Sequence, residues 1–268
     1  MIRIRILAAG LLLTGMALCP FGARAQDRGG NAPLPAPAVM PAAPQEPQAP
    51  QDGPLILELF SSEICMFCPA AETLLAERLQ QENTIGLTCM VDYLQTRADG
   101  PGRAFCSARQ AWYARVLGTG PIYTPQIVIN GRTDAVGHRP PSLDSAIARE
   151  KQTAPAPVLL DLRPDADAGG FSVQMPGMEP LPSNQAYSVT LAVYRDKQDL
   201  VQRSGPARAL THAVNDLKTL DPWDGQTKTL TFPLALKAGE GAVLIVQNPV
   251  TGAIVAAGSA PSMGKPSP

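Results

Sequence analysis

Apolar and polar positions follow two patterns along this chain, which meet near Ala156. Leu55-Ile56-Leu57-Glu58-Leu59-Phe60 is an apolar run broken by one carboxylate, and it predicts a buried strand. Residues 70–81 place Leu74, Leu75 and Leu79 on one face of a helix. Pro69 suits the first turn of that helix, where its missing N–H costs nothing. Residues 85–91 read as a second strand, and residues 103–117 as a second helix closed by Gly118. Residues 126–129 form a third strand, Asn130-Gly131 a two-residue hairpin turn, and residues 133–136 the returning fourth strand. Residues 142–150 close the unit as a helix with Ser142 at its N-cap. The order β-α-β-α-β-β-α fills a first domain over residues 54–152. Beyond it, residues 158–162, 170–174, 186–194, 228–232, 242–247 and 253–257 read as strands between Gly, Pro and Asp turns. That spacing predicts a β-rich accessory domain over 156–260, built as an antiparallel sandwich. Residues 207–217 fit a strand or a helix, and 261–268 read as a disordered tail.

The first residues carry an address. Arg3 and Arg5 precede an apolar run over residues 6–18 that is too short and too rich in Gly and Ala for a membrane span. Ala23-Arg24-Ala25 fits a cleavage site, so residues 1–25 are expected to leave as a signal peptide, with Gln26 as the new start. The expected location is periplasmic or secreted, where disulfides persist. Lipidation at Cys19 is the competing reading, but Leu18 before it is larger than such signals carry. Residues 26–53, rich in Pro, Ala and Gln, read as a disordered linker.

Composition narrows the function further. Lys plus Arg number 22 and Asp plus Glu 23, a balance that argues against a broad nucleic-acid or anionic-membrane surface. Aromatic residues at 5% are too few for a base-stacking platform. Two His leave little for a histidine-rich metal centre or a histidine-based triad. Chemistry therefore rests on cysteine. Cys65-Met66-Phe67-Cys68 sits where the first strand gives way to the first helix. A helix N-terminus offers partial positive charge and free N–H groups that stabilise a thiolate. The i, i+3 spacing lets the two sulfurs close a short loop. Cys65 is expected to be the exposed attacking sulfur and Cys68 the buried resolving one. Attack on a substrate disulfide gives a mixed disulfide that Cys68 then releases, and the reverse oxidises a dithiol. A permanently closed disulfide or a metal-binding pair are the other uses of such a motif. The four cysteines after the signal allow three connectivities. Pairing Cys65 with Cys68 leaves Cys89 with Cys106, which would close a loop of roughly 16 residues and stabilise by about 3 kcal/mol in the chain-entropy description. A second redox relay or a metal pair is the alternative for these two.

The layout resembles the thioredoxin fold, most closely in Thr124-Pro125, the strand, Asn130-Gly131, the returning strand and Gly137. More specifically, the chain resembles the DUF1223 family of secreted proteins. The matching pieces are Glu58-Leu59-Phe60-Ser61-Ser62, Cys65-x-x-Cys68-Pro69, Val91-Asp92-Tyr93, Arg109-Gln110, Tyr123-Thr124-Pro125-Gln126, Asn130-Gly131-Arg132, Thr211-His212, Asp216-Leu217, Trp223-Asp224-Gly225 and Val246-Gln247. Two departures stand out: Met90 where the family often has His, and bulky Met66-Phe67 where it usually has small polar residues. The thioredoxin resemblance implies a cis Thr124–Pro125 bond beside the dithiol, exposing the Thr124 backbone to an extended substrate. It also implies a buried carboxylate that takes the proton of the inner cysteine, and Glu58 is the candidate, against a salt-bridged structural role. Tyr93 is a candidate for lining a substrate surface or for packing, and Arg109 and Gln110 read as structural or interfacial. His212 reads as packed rather than functional, and His138 carries no assigned role. The expected function is a thioredoxin-like thiol–disulfide oxidoreductase, exported and free of organic cofactor or metal. Its partners would be protein thiols and disulfides and a redox partner protein, with no nucleic acid and no membrane span. The apolar Met66-Phe67 would suit an unfolded or apolar protein substrate. The rivals are an exported binding module with purely structural disulfides, and a copper-handling protein, since paired thiolates suit Cu(I).

Overall fold

A computed structural model describes residues 53–96, 98–182, 185–200 and 208–262. The expected signal with Cys19, the linker up to residue 52 and the tail from residue 263 lie outside the described residues. Strand β1 (Leu55–Ser61) is buried along its whole length. It is followed by α1 (Cys68–Arg78), β2 (Thr84–Met90), α2 (Ala104–Leu117), β3 (Gln126–Ile129), β4 (Thr133–Val136) and α3 (Pro140–Thr153), in the expected order. Gly118 ends α2 in the left-handed region, at φ 63°. Asn130 and Gly131, at φ 47° and 64°, make the primed turn that a two-residue hairpin needs. Helix α3 begins earlier than expected. Two prolines occupy its first turn, where no N–H is needed, so Arg139 rather than Ser142 stands at the cap.

The second half adds β5 (Val158–Leu159), β6 (Arg163–Asp165), β7 (Gly170–Met175), β8 (Tyr187–Leu200), β9 (Arg208–Trp223), β10 (Lys228–Pro233), β11 (Glu240–Gln247) and β12 (Ile254–Ala260). The ambiguous stretch after residue 207 is strand, drawn into a long antiparallel ladder that runs from Tyr187 opposite Trp223 to Leu200 opposite Arg208. The backbone ladder sustains this pairing through Arg195–Asp199, where apolar alternation has stopped.

The fold is mixed α/β. Its large sheet has nine strands in the order β4-β3-β1-β2-β9-β8-β11-β12-β5. The change of pattern near Ala156 thus marks a change of connectivity, and the sheet itself continues from one half into the other. The seam is the parallel contact of β2 with β9 at Thr88 opposite Ala213. The Thr88 hydroxyl adds a 2.7 Å bond to the Thr211 carbonyl. A second sheet, β10-β7-β6, brings Phe171, Val173 and Phe232 against Val189, Leu191 and Leu244 of the large sheet.

Period-two alternation in β1 decides what each helix covers. Leu57 and Leu59 meet Leu74 and Leu75 of α1 and Leu143 of α3. Ile56 and Phe60 face the other way, toward Tyr113 and Cys106 of α2. The same cluster includes Val214, Val243 and Ile245, so α2 spans the seam and bonds both halves through one apolar layer. No helix among the described residues is long and apolar enough to cross a membrane.

Candidate active site

Strand β1 runs to Ser61, and the short turn after it brings the two cysteines to the start of α1. Cys68 is the first residue of that helix and is fully buried, whereas Cys65 is half-buried. Across from them the Thr124–Pro125 peptide is cis, and the Cys65 thiol donates to the Thr124 carbonyl at 3.6 Å. Cys65, Cys68, Thr124 and Pro125 therefore share one site. The helix N-terminus does not prevail at the inner sulfur. Burial pushes the Cys68 thiol up to about 12, and the Cys65 neighbour acts in the same direction. Ser61 and the Ser62 backbone beside the sulfur pull the other way, but less strongly.

A chain of amides and phenols braces the proline loop. Tyr93 donates to Gln110 at 2.8 Å. Gln110 donates to the Tyr123 carbonyl at 2.7 Å and to Gln126 at 2.9 Å. Gln126 and Tyr123 both end on Asp134, at 2.8 and 2.7 Å. Tyr93 thus packs and also borders the site: burial first, then the nearby cysteine sulfurs, push its phenol up to about 12. Met66, 81% exposed, and Phe67, 50% exposed, form an apolar rim between the two cysteines, and Ile64, Tyr93 and Ile122 are exposed as well. Phe67 stacks on His138 with centroids 4.6 Å apart, which brings to the rim a histidine that sequence reasoning left without a role.

Glu58 in β1 has the parity of Ile56 and Phe60, so its side chain lies on the α2 face, across the sheet from α1. Its carboxylate accepts from Arg109 Nη2 at 2.9 Å, from Arg109 Nε and from the Tyr113 hydroxyl. Gln247 of β11 closes the cluster, donating to Tyr113 at 2.8 Å and accepting from Arg109 at 3.3 Å. Burial opposes the charge on Arg109, but Glu58 and Tyr113 outweigh it and hold the guanidinium firmly protonated. Of the two readings for Glu58, this pairing with Arg109 and Tyr113 agrees with the salt-bridged structural one. Arg109 is structural, and Gln110 holds the proline loop.

A different carboxylate faces the dithiol. Ser61 has the parity of Leu59, and its hydroxyl, besides meeting Cys68, donates to Glu72 at 2.5 Å. Glu72 lies one helical turn beyond Cys68 on the same face of α1. Arg208, the first residue of β9, binds it through two nitrogens, with Nε at 3.1 Å, and also donates to the Glu63 carbonyl at 3.2 Å. Sequence reasoning passed over Ser61, Glu72 and Arg208. The spacings from Cys68 to Glu72 and from Leu59 to Ser61 were the available signals; nothing local pointed to Arg208. Cys89 and Cys106 form a disulfide beneath α2. His212 lies on the β9 backbone at φ 50° with Nδ1 2.9 Å from the Gly86 carbonyl, away from the dithiol. Among the described residues no group of three His, Cys, Asp or Glu side chains converges as a metal site would need.

A family described as "Protein of unknown function (DUF1223)" matches residues 56–247, from the start of β1 to the end of β11. The chain belongs to the DUF1223 family. The matched span of this DUF1223 chain contains the dithiol, the cis-proline and both carboxylate clusters. A crystal structure of a protein from Agrobacterium tumefaciens is similar at TM-score 0.66 and 22% identity, covering 82% of this chain and 98% of that one. HBP35 of Porphyromonas gingivalis is similar at TM-score 0.55 and 14% identity, covering 80% and 77% respectively. At these identities both speak to the fold alone. No curated protein matches the DUF1223 chain.

Proposed function

We propose that the protein is a thioredoxin-like thiol–disulfide oxidoreductase of an exported compartment. The observation that carries this reading is the Cys65 thiol lying 3.6 Å from the carbonyl of Thr124, the residue that precedes a cis-proline, with Cys68 buried behind it at the helix start. Strand order β4-β3-β1-β2 around the site, with α1 leaving β1 at the dithiol, supports the thioredoxin comparison. In the reducing direction the Cys65 thiolate attacks one sulfur of a substrate disulfide. The substrate S–S bond breaks, a mixed disulfide forms, and one substrate sulfur leaves as thiolate. Cys68, deprotonated, then attacks the Cys65 sulfur. The Cys65–Cys68 disulfide forms, the second substrate thiolate leaves, and two electrons have passed to the substrate. The reverse sequence oxidises a dithiol. The Thr124 carbonyl faces the attacking sulfur and is placed to pair with an extended backbone. The exposed Met66 and Phe67 beside Cys65 offer that backbone's side chains an apolar bed.

The test is the reduction potential of the Cys65/Cys68 pair, by glutathione equilibration, with a Cys89→Ser/Cys106→Ser variant alongside. A value between roughly −120 and −270 mV supports an exchange catalyst. A value well below about −300 mV marks a structural disulfide and overturns the proposal in favour of a binding module.

A further inference from the structure

Several features of the molecule stay outside the proposed function. They include the Phe67–His138 stack, the Glu58 cluster and the Glu72 cluster. Only the last touches a reacting sulfur. Cys68 can resolve a mixed disulfide only after losing its proton, and it is fully buried. Around it stand Cys65, Ser61 and the Ser62 backbone. Of these, Cys65 leads to the Thr124 carbonyl, and Ser61 leads to a carboxylate oxygen of Glu72 at 2.5 Å. We propose that Ser61 and Glu72 form the proton relay of Cys68, and that Arg208, delivered by the C-terminal half of the chain, is the positioning residue that holds Glu72 in place. This inference rests on the oxidoreductase reading and names the groups that make its second step possible.

The step balances. While Cys65 carries the mixed disulfide, the Cys68 thiol donates to the Ser61 oxygen, and the Ser61 hydroxyl donates to Glu72 Oε1. As the Cys68 sulfur attacks the Cys65 sulfur, the thiol proton passes to Ser61 and the Ser61 proton passes to Glu72. Glu72 becomes a carboxylic acid, the new Cys65–Cys68 bond forms, and the substrate thiolate departs with the electron pair of the broken S–S bond. Glu72 returns its proton when the disulfide is next reduced. Its environment suits a reversible acceptor. Burial raises its carboxyl above the ordinary range, while Arg208 and the Ser61 hydroxyl pull it back. Arg208 also grips the carbonyls of Ser62 and Glu63, at 3.5 and 3.2 Å, so one side chain fixes both the acceptor and the turn that leads to Cys65. Glu58 cannot serve, because Arg109 and Tyr113 occupy its carboxylate on the opposite face of β1.

The test separates the two chemical steps. Full-length protein with its Cys65/Cys68 pair reduced is mixed with the aromatic disulfide 5,5′-dithiobis(2-nitrobenzoate), and release of the coloured thiolate is followed by stopped flow. The first release reports attack by Cys65, and the second reports resolution by Cys68. In Ser61→Ala the first release keeps its rate, while the second slows by about tenfold or more, the low end of what positioned proton transfer contributes. Ser61→Thr, which keeps the hydroxyl, restores it. Glu72→Gln slows the second release and removes the acidic limb of its pH profile. Arg208→Met shifts that limb to higher pH, because burial then acts on Glu72 without its cation. The Ser61 pair leaves the buried ion pair intact, so the outcome is readable even where Glu72→Gln fails to fold. An unchanged second-release rate and pH profile in both Ser61→Ala and Glu72→Gln overturns the relay and leaves the oxidoreductase reading standing. A wild-type protein that never gives a second release overturns both.

Discussion

Glu58 and Glu72 are both carboxylates in apolar surroundings, and each is held by an arginine from a different element. Both clusters also tie the two halves of the chain together, one through Gln247 of β11 and the other through Arg208 of β9. They differ in what lies at the far end. Every partner of the Glu58 carboxylate is a donor from α2, and the cluster ends on an amide of the sheet. The Glu72 carboxylate shares one oxygen with a hydroxyl, and that hydroxyl reaches a cysteine sulfur. A buried charge is by itself a cost that its partner has to offset, and replacing such pairs by apolar residues is often neutral. The chemistry of a buried acid lies in whether its hydrogen bonds lead to a reacting atom.

The sharpest way to break this comparison is to neutralise each acid in turn. Glu58→Gln leaves Arg109 buried without its counter-ion and is expected to cost about 3–5 kcal/mol in urea unfolding. The ratio of the two release phases in the aromatic-disulfide assay should stay at the wild-type value. A change in that ratio would place Glu58 back in the chemistry. Next in size is the Cys89–Cys106 disulfide, which lies on the Glu58 side of the sheet with Tyr113. Its double Ser variant should lose about 3 kcal/mol of stability in the chain-entropy description. Exchange at Cys65 should persist, and its loss would mean that the second pair relays electrons. Tyr93→Phe removes one hydrogen bond to Gln110 and should cost about 1 kcal/mol, read as a small drop in melting temperature. The smallest effect belongs to His212, at the seam. Burial lowers its titration, outweighing the pull of the Gly86 carbonyl and Asp196. The unfolded chain therefore binds that proton first, and stability should fall as pH drops through about 6.5 until the folded histidine also titrates. His212→Asn should flatten this portion of the melting-temperature profile, and an identical slope in the variant would show that other groups carry it.

Much of the first half was legible because local rules agree there. Pro69 marks a helix start, Gly118 a helix end, and Asn130-Gly131 a turn that only left-handed residues make. The dithiol, its place at the helix and its proline neighbour followed from those elements and from the thioredoxin resemblance. Sequence alone left Glu58 with two roles, and the face of β1 that it takes is what separates them. A shift of one position moves a side chain to the other side of a sheet. Ser61, with the right parity, is a small polar residue at a strand end, a pattern too common to stand out. Arg208 could not be found locally, since it meets Glu72 across 136 positions of sequence. The length of β8 and β9 was hidden for a related reason. Backbone pairing holds their outer ends together after apolar alternation has ceased.

The seam at Thr88 and Ala213 has one more consequence. A strand whose outer backbone groups are unpaired is a template on which another chain can add, and natural sheets take care to hide such borders. Without the second half, β2 would be such a border, lying directly beside the strand that leads to the dithiol. β9 pairs with it at Thr88, and the large sheet ends on the short strands β4 and β5. The C-terminal half thereby covers part of that border. On the oxidoreductase reading, an extended protein client would meet a sheet whose β2 border is partly covered beside the dithiol.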